Sequence, residues 1–196
     1  MNLLGLTKKQ IHMLNIKYLN KRELIKKVKL VNDIYWEKTY NGRWGYISHV
    51  ISELRKIKPK TILELGSYKI NLTNNSDNMD INEDYIDIDN TNNKKYIQDG
   101  STLPWDIEDK YYDVFIGLQV FEHLGDNQSD IFKEVMRVSK NAIISLPYLW
   151  DKPEDKMHHM IDDEKIKEWT NNILPEKIIY IKIPSSRKRV IYFFKF

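Results

Sequence analysis

The sequence has no cysteine among its 196 residues, and only seven glycines and six prolines. Without cysteine the chain can form no disulfide, no thiolate metal site and no cysteine nucleophile, which fits a reducing compartment. So little glycine and proline is not typical of a fibrous or low-complexity chain. The longest apolar runs, such as residues 190–194, fall far short of the roughly 20 residues that span a bilayer, and residues 1–6 do not resemble a signal peptide. We therefore expect a globular cytoplasmic protein with no membrane span.

Charge is distributed unevenly along the chain. Residues 1–30 hold eight Lys or Arg against one acid, whereas the remainder holds 23 basic and 27 acidic residues. Apolar residues recur in the N-terminal segment at helical spacing: Ile11, Leu14, Tyr18, Ile25 and Val28. We predict that residues 1–40 form a basic helical extension packed on a main domain of residues 41–196. Its lysines are interpreted as a solvated face, with an anionic partner such as nucleic acid as the alternative.

Strand and helix patterns alternate through the main domain. The predicted strands are residues 61–66, 84–89, 95–98, 111–118 and 141–146, followed by a terminal antiparallel pair at residues 177–183 and 189–196. The predicted helices are residues 43–56, 130–139 and 162–171, and residues 67–83 are predicted as loop with at most a short helix. This order predicts an α/β protein with a Rossmann-like, doubly wound, mostly parallel sheet, helices on both faces and a C-terminal antiparallel hairpin.

Ligands of open doubly wound sheets bind beyond the carboxyl ends of the strands. Acids follow two of the predicted strands there, Asp89 after the second and Asp99 after the third. The first can accept hydrogen bonds from ribose hydroxyls and the second from an adenine amino group, which indicates an adenosine-containing ligand. The first turn has one glycine, Gly66, and lacks the three-glycine spacing of pyrophosphate sites, so a dinucleotide or nucleoside triphosphate is not expected.

Four segments in this order resemble the motifs of the class I S-adenosylmethionine-dependent methyltransferases, over about residues 43–150. They are Ile62-Leu-Glu-Leu-Gly-Ser67, Tyr85-Ile-Asp-Ile-Asp89, Asp99-Gly-Ser-Thr-Leu-Pro-Trp105 and Tyr112-Asp-Val-Phe-Ile-Gly-Leu-Gln-Val-Phe-Glu-His-Leu124. The resemblance implies that residues 41–196 are a methyltransferase-like domain and that the cofactor is S-adenosyl-L-methionine. The cofactor-binding residues that it implies are Glu64, Gly66, Ser67, Asp89, Asp99, Gly100 and Gln119.

The sequence departs from this family at the first turn. The family's motif continues with two further glycines, whereas Tyr68, Lys69 and Ile70 stand here. A tyrosine that filled the cofactor cleft would favour a non-catalytic binding protein of the same fold.

Histidines are the candidate catalytic residues. His123 lies at the mouth of the expected site, and His158 and His159 lie on a loop after the fifth strand, where a neutral imidazole could accept the proton of a hydroxyl. Adjacent histidines point in different directions and match no zinc spacing, so no metal site is predicted. The candidate substrate residues are Arg43, Glu122 and Tyr148.

The sequence thus predicts an S-adenosylmethionine-dependent methyltransferase that acts on a small-molecule or saccharide acceptor. Oxygen is the expected target, because the Asn-Pro-Pro-Tyr or Asp-Pro-Pro-Tyr signature associated with planar amino groups is absent. Two alternatives stay open: a non-catalytic binding protein with a degraded cofactor turn, and a nucleic-acid methyltransferase that uses the basic N-terminal helix.

Overall fold

A computed structural model of the protein describes residues 16–74, 76–79, 95–96, 99–182 and 187–196. The helices in these ranges are α1 (Lys21–Val31), α2 (Ile34–Ile57), α3 (Gln128–Val138) and α4 (Asp163–Trp169), with a short 3-10 helix at Phe121–His123. The strands are β1 (Ile62–Leu65), β2 (Ser76–Met79), β3 (Lys95–Tyr96), β4 (Val114–Leu118), β5 (Asn141–Tyr148), β6 (Lys177–Lys182) and β7 (Lys188–Lys195).

The strands form one seven-stranded sheet in the order β3-β2-β1-β4-β5-β7-β6. Strands β1 to β5 pair in parallel, and β7 is antiparallel to both β5 and β6. Strand order reverses at β1, which lies between β2 and β4, and this is where ligands of doubly wound sheets bind. The predicted mostly parallel sheet with a C-terminal antiparallel hairpin is confirmed.

Apolar residues on both sides of the sheet hold helices against it. Successive strand residues point to opposite faces, so Ile62 packs in one core cluster with residues of α1 and α2, while Leu63 packs in a second with residues of α3 and α4. Both side chains are fully buried. Burial on both faces explains why β1 and β4 have continuous apolar sequences rather than alternating ones, and the prediction of helices on both faces is confirmed.

The prediction of loop over residues 67–83 is wrong at β2, which pairs in parallel with β1. Its sequence is Ser-Asp-Asn-Met, so no apolar alternation marks it. Ser76 is nevertheless buried, and its hydroxyl donates a hydrogen bond to the Glu64 carboxylate of β1, while Asp77 accepts one of 2.7 Å from Tyr112. Polar contacts with neighbouring segments take the place of an apolar face. The predicted strand at residues 84–89 lies outside the described residues.

Helix α2 begins nine residues earlier than predicted, at Ile34 instead of Arg43. The Asp33 side chain caps it by accepting a 2.8 Å hydrogen bond from the Tyr35 amide, and this satisfies a donor that the first turn leaves unpaired. The domain boundary predicted at residue 40 lies within this helix. Strand β5 runs two residues past its predicted end and includes Pro147, which lies beyond the β4 pairing that stops at Ser145.

Helix α1 carries the described part of the basic segment. It begins with a capping box in which Asn20 and Glu23 bond each other's amides. Leu24 and Val28 are buried against α2, and the exposed face holds Lys21, Arg22, Lys26 and Lys29. Ile11 and Leu14, which the sequence predicts on the same helical face, lie outside the described residues. Within the described residues, no helix has both the length and the apolar character that a bilayer crossing requires.

Candidate active site

A cleft of about 370 Å³ opens at the carboxyl ends of β1 and β4, beneath the N-terminal half of α2. Its walls come from three segments: α2, the turn after β1 and the turn after β4. They include Tyr35, Trp36, Arg43, Tyr46, Glu64, Gly66, Ser67, Tyr68, Gln119, Val120 and His123. The predicted residues Arg43, Glu64, Gly66, Ser67, Gln119 and His123 are therefore brought together. We call this space the cleft.

The turn after β1 depends on glycine at its first position. Gly66 has φ +66°, in the left-handed region, and its amide donates a 2.8 Å hydrogen bond to the Met79 carbonyl of β2. A Cβ atom at this position would lie 2.6 Å from Cγ2 of Val120 in the turn after β4. The absence of a side chain therefore lets the two turns approach each other at the floor of the cleft.

Tyr68 and Lys69 stand where the related motif has glycines, and both keep positive φ angles of 45° and 69°. Asp33 holds them: its Oδ2 accepts hydrogen bonds of 3.0 Å from the Tyr68 hydroxyl and the Lys69 ammonium. The Trp36 indole adds a 2.8 Å bond to the Tyr68 carbonyl. Tyr68 thus forms a wall of the cleft and leaves about 370 Å³ open. Tyr68 therefore does not fill the cleft, and filling is the arrangement that would have favoured a non-catalytic binding protein.

Arg43 forms the cationic part of the α2 wall. Its guanidinium stacks 4.3 Å from the Tyr35 ring centroid and donates 3.0 Å hydrogen bonds to the Thr39 and Tyr46 hydroxyls. A guanidinium has five N–H donors, so these two bonds do not exhaust it. Its residual capacity suits a carboxylate or phosphate in the cleft.

Glu64 faces the cleft from β1 but is held by the protein. Its two carboxylate oxygens accept bonds of 3.0 and 3.1 Å from the Leu72 amide, and one also accepts the Ser76 hydroxyl. Because Leu72 follows the turn and Ser76 begins β2, Glu64 fixes the connection between the two strands. This contact supports the turn whether or not the carboxylate also touches a ligand.

The turn after β4 presents Gln119 and His123 to the cleft. Gln119 adopts φ +58°, and its amide and side-chain nitrogens bond the Ser145 carbonyl and hydroxyl of β5 at 2.8 and 3.1 Å. The 3-10 helix that follows ends with His123. Burial, followed by the neighbouring His158, lowers the pKa of His123, so its neutral form is favoured.

A cluster of Glu122, His123 and His158 adjoins the cleft at this turn. One potential ligand atom from each side chain lies within 4.8 Å of the other two, and the His123 and His158 ring centroids are 5.0 Å apart. The His158 Nδ1 atom lies 2.8 Å from Asp155. Burial raises the pKa of Glu122 to about 8, although the charges of Arg189 and Arg43 oppose that effect.

Four predicted site residues lie elsewhere, outside the walls of the cleft. Asp99 accepts 2.8 Å bonds from the amide and hydroxyl of Ser101, and the carbonyl of buried Gly100 accepts a bond from Trp105. The Tyr148 hydroxyl donates a hydrogen bond to Asp163 at the start of α4, and the His159 ring accepts a 3.0 Å bond from the Lys152 amide. Asp89 lies outside the described residues.

Sequence reasoning missed several walls of the cleft. Trp36 and Tyr46 contact the space, yet the sequence motifs assign neither to the site, and Tyr68, which the sequence suggests could fill the cleft, forms one of its walls. The Asn-Asp pair before Ile34 is a helix-start signal. A helix that begins there has Trp36 and Arg43 on the same face, because they are seven residues apart. Tyr68 carries no comparable signal, because its position depends on the tertiary bond to Asp33.

Comparison with known proteins supports the same fold. No protein-family model and no curated protein matches the sequence. The methyltransferase domain of bacterial CtHen1-CN superposes with a TM-score of 0.57 at 12% identity over 79% of this chain and 100% of that one. An S-adenosylmethionine-dependent methyltransferase from Archaeoglobus fulgidus gives 0.57 at 17% identity over 84% and 100%. The N-terminal domain of EvdMO1 with S-adenosylhomocysteine bound gives 0.53 at 14% identity over 76% and 80%.

The strand order and the position of the cleft define a Rossmann-like α/β protein with an open cleft at the switch point of the sheet, where ligands of such sheets bind. More closely, the chain has the fold of the class I S-adenosylmethionine-dependent methyltransferases.

Proposed function

We propose that the protein transfers a methyl group from S-adenosyl-L-methionine to an oxygen atom of a small-molecule or saccharide acceptor. The observation that carries the proposal is the open cleft at the carboxyl ends of β1 and β4 in a methyltransferase fold. A domain of EvdMO1 with the same fold was crystallised in the presence of S-adenosylhomocysteine and D-fucose, which makes a sugar a reasonable first acceptor to test.

The residues of the cleft suit this cofactor. At about 370 Å³ the cleft is within the range of small-ligand pockets. Gly66 allows a ligand to approach the backbone of the turn, and the guanidinium of Arg43 can pair with the cofactor's carboxylate. Aromatic rings of Tyr35, Trp36 and Tyr68 supply faces for an apolar or cationic group.

The bound cofactor would supply an electrophilic methyl group on a sulfonium, which the acceptor oxygen attacks in line. The protein then has two tasks: to align the oxygen with the methyl group and to remove the hydroxyl proton. His123 faces the cleft and has a lowered pKa, so its neutral imidazole can accept that proton. The acceptor would enter beside His123, where the cluster of Glu122, His123 and His158 meets the cleft.

The ribose acid can be assigned by a pair of variants. Asp89 is the acid predicted from the sequence motif, but β2 ends at Met79, and Asp80 is the next residue along the chain. A ribose acid that directly follows the second strand is therefore Asp80 by sequence position. We expect Asp80→Ala to abolish cofactor binding and Asp89→Ala to retain it, and the opposite result would restore the motif assignment.

Isothermal titration with S-adenosylhomocysteine and S-adenosylmethionine tests the proposal. Ser67→Trp places a large side chain in the cleft and should abolish the binding heat, whereas Ser52→Trp, on an exposed position of α2, should leave it unchanged. If the wild type binds the cofactor, a screen of sugar and nucleotide-sugar acceptors with methyl-labelled cofactor is justified. No binding by a folded wild type would contradict the proposal and favour a non-catalytic role.

A further inference from the structure

Glu122 is a buried carboxyl group that no other described residue satisfies. Its side chain has no exposed surface, and among the described residues no other side chain or backbone group donates a hydrogen bond to either carboxyl oxygen. Arg189 and Arg43 act on it through space, yet neither of them donates a hydrogen bond to it in that part of the chain. Burying an unpaired carboxylate is costly, and buried charges in proteins are normally paired or coordinate a metal ion.

Two histidine rings lie beside this carboxyl group. The Nε2 atom of His158 is 4.0 Å from Oε1 of Glu122, and potential ligand atoms of Glu122, His123 and His158 all lie within 4.8 Å of one another. Ligands of a tetrahedral ion at about 2.1 Å are separated by about 3.4 Å. Side-chain shifts of about one ångström therefore suffice to close the three atoms around one ion.

Asp155 orients His158 for this role. The Nδ1 atom of His158 lies 2.8 Å from Oδ1 of Asp155, so a proton on Nδ1 leaves the lone pair of Nε2 free on the side of Glu122. A carboxylate that accepts the second N–H of a ligand histidine is the usual outer-shell partner in metal sites. The Trp150 ring stacks on His158 with centroids 6.1 Å apart and further limits its rotation.

We propose that Glu122, His123 and His158 bind a divalent first-row transition cation at the edge of the cleft, with Asp155 as the outer-shell partner of His158. Two imidazoles and one carboxylate form a ligand set typical of Zn²⁺ sites that keep a position open for water or substrate, and they suit Mg²⁺ less well. Because the sequence had predicted no metal site, this assignment rests on the tertiary arrangement of the three residues.

The open position of the cation would face the acceptor, since His123 also lines the cleft. With the cation bound, His123 would be a ligand and no longer the proton acceptor. The hydroxyl on the cation would instead release its proton to water at lower pH and become a better oxygen nucleophile. This part of the inference rests on the proposed methyl transfer. Cation binding itself does not, and it can be measured without cofactor or acceptor.

The experiment is isothermal titration of the chelator-treated full chain with Zn²⁺, Mn²⁺ and Mg²⁺, each as the only added ligand. We expect one saturable site with affinity in the order Zn²⁺, Mn²⁺, Mg²⁺. Loss of an outer-shell partner costs about 10- to 100-fold in metal affinity, so Asp155→Asn should weaken Zn²⁺ binding by that factor. Glu122→Gln and His158→Ala remove ligands and should weaken it by at least about 100-fold.

His159→Ala is the matched control, because this neighbouring imidazole faces Lys152 instead of the cluster. It should retain wild-type Zn²⁺ affinity, and each variant should show cooperative thermal unfolding in chelator. His158 lies on a partly exposed loop, so its replacement keeps the test valid if Glu122→Gln does not fold. The proposal is overturned by the absence of a saturable site, by unchanged affinity in a folded His158→Ala variant, or by an equal loss in His159→Ala.

Titration with S-adenosylhomocysteine in chelator separates the two proposals. Cofactor binding without any cation site would leave the proposed function standing and overturn the metal inference. A cation site without cofactor binding would leave the metal inference standing and overturn the proposed function.

Discussion

Asp163 accepts hydrogen bonds from the hydroxyls of Tyr148, Tyr180 and Tyr192 at 2.6 to 3.1 Å. Burial alone would raise the pKa of this carboxyl group, but the three hydroxyls hold it below 3.8. Because Tyr192 is buried, Asp163→Ala leaves a buried hydroxyl unpaired, and we expect a loss of about 2–3 kcal/mol in the free energy of unfolding at pH 7. Denaturant titration measures this loss.

The pH dependence of this effect has a defined sign. A carboxyl group with a lowered folded-state pKa stabilises the protein above its unfolded pKa, and that contribution disappears as the pH falls through the folded pKa. The stability difference between wild type and Asp163→Ala should therefore be full above about pH 5 and shrink as the pH falls through the lowered pKa of Asp163. Glu164→Ala, which removes only an exposed contact to Lys167, should change stability by less than about 0.5 kcal/mol. An equal loss in both variants would contradict this account.

Two glycines in different surroundings should respond oppositely to alanine. At Gly66 the backbone is left-handed and a Cβ would meet Val120 at 2.6 Å, so Gly66→Ala should cost about 1–3 kcal/mol and weaken S-adenosylhomocysteine binding. At Gly42, inside α2, a Cβ would meet nothing within 4 Å, so Gly42→Ala should stabilise the protein by about 0.5–1 kcal/mol. Thermal unfolding and cofactor titration of both variants check this, and a stabilising Gly66→Ala would disprove it.

Sequence motifs identify some of the residues that line the cleft. Gly66 and His123 follow strands whose apolar sequences are easily recognised, and both line the cleft. The grouping of Glu122 with His158 could not be predicted, because the two residues are far apart in sequence and meet only through the loop after β5. Tyr148 lies outside the walls of the cleft and bonds Asp163, so its assignment as a substrate residue stays a prediction.

The connection between β1 and β2 is the element that differs most from the related family's motif. It contains no described helix, and its turn is held from outside by Asp33 at the start of α2. Asp33 therefore has two roles, since its other oxygen caps the helix. Asp33→Ala should lose both, with a cost of about 1–2 kcal/mol from the cap and weaker cofactor binding.

Asp33→Ser separates these roles. A serine can still cap α2 but is too short to accept bonds from Tyr68 and Lys69 as well. Compared with Asp33→Ala, Asp33→Ser should therefore recover most of the free energy of unfolding but not the cofactor affinity. Urea denaturation and S-adenosylhomocysteine titration of the two variants provide the comparison. If serine restores both quantities, the bonds to the turn do not shape the cleft.

The elements recovered from sequence are those with apolar periodicity. Strands β1, β4, β5 and β7 bury most of their own side chains, and edge strand β6 alternates half-buried with exposed residues, so their patterns are visible. Strand β2 is not visible in the sequence because Met79 is its single apolar residue, while Ser76 and Asp77 are held by polar contacts with Glu64 and Tyr112. Such a strand is specified by its neighbours and not by its own sequence.

The basic surface and the cleft belong to different helices that pack on the same face of the sheet. Helix α1 presents Lys21, Arg22, Lys26 and Lys29 to solvent, whereas the cleft is formed by α2 and the turns after β1 and β4. If the acceptor is a small molecule, the basic face is only a solvated surface. If it is a nucleic acid, each phosphate contact should add about 0.7–0.9 to the slope of log affinity against log salt.

Replacing these four basic residues with glutamine tests the distinction while preserving helix propensity. We expect cofactor affinity and methylation of a small acceptor to stay within about twofold of wild type, because glutamine removes the charge without altering the buried Leu24 and Val28. Wild-type binding to single-stranded RNA should be no tighter than the nonspecific range of about 10⁻⁴–10⁻⁶ M. Much tighter, strongly salt-dependent RNA binding that the four replacements abolish would instead make α1 part of a nucleic-acid site and the small-acceptor proposal wrong.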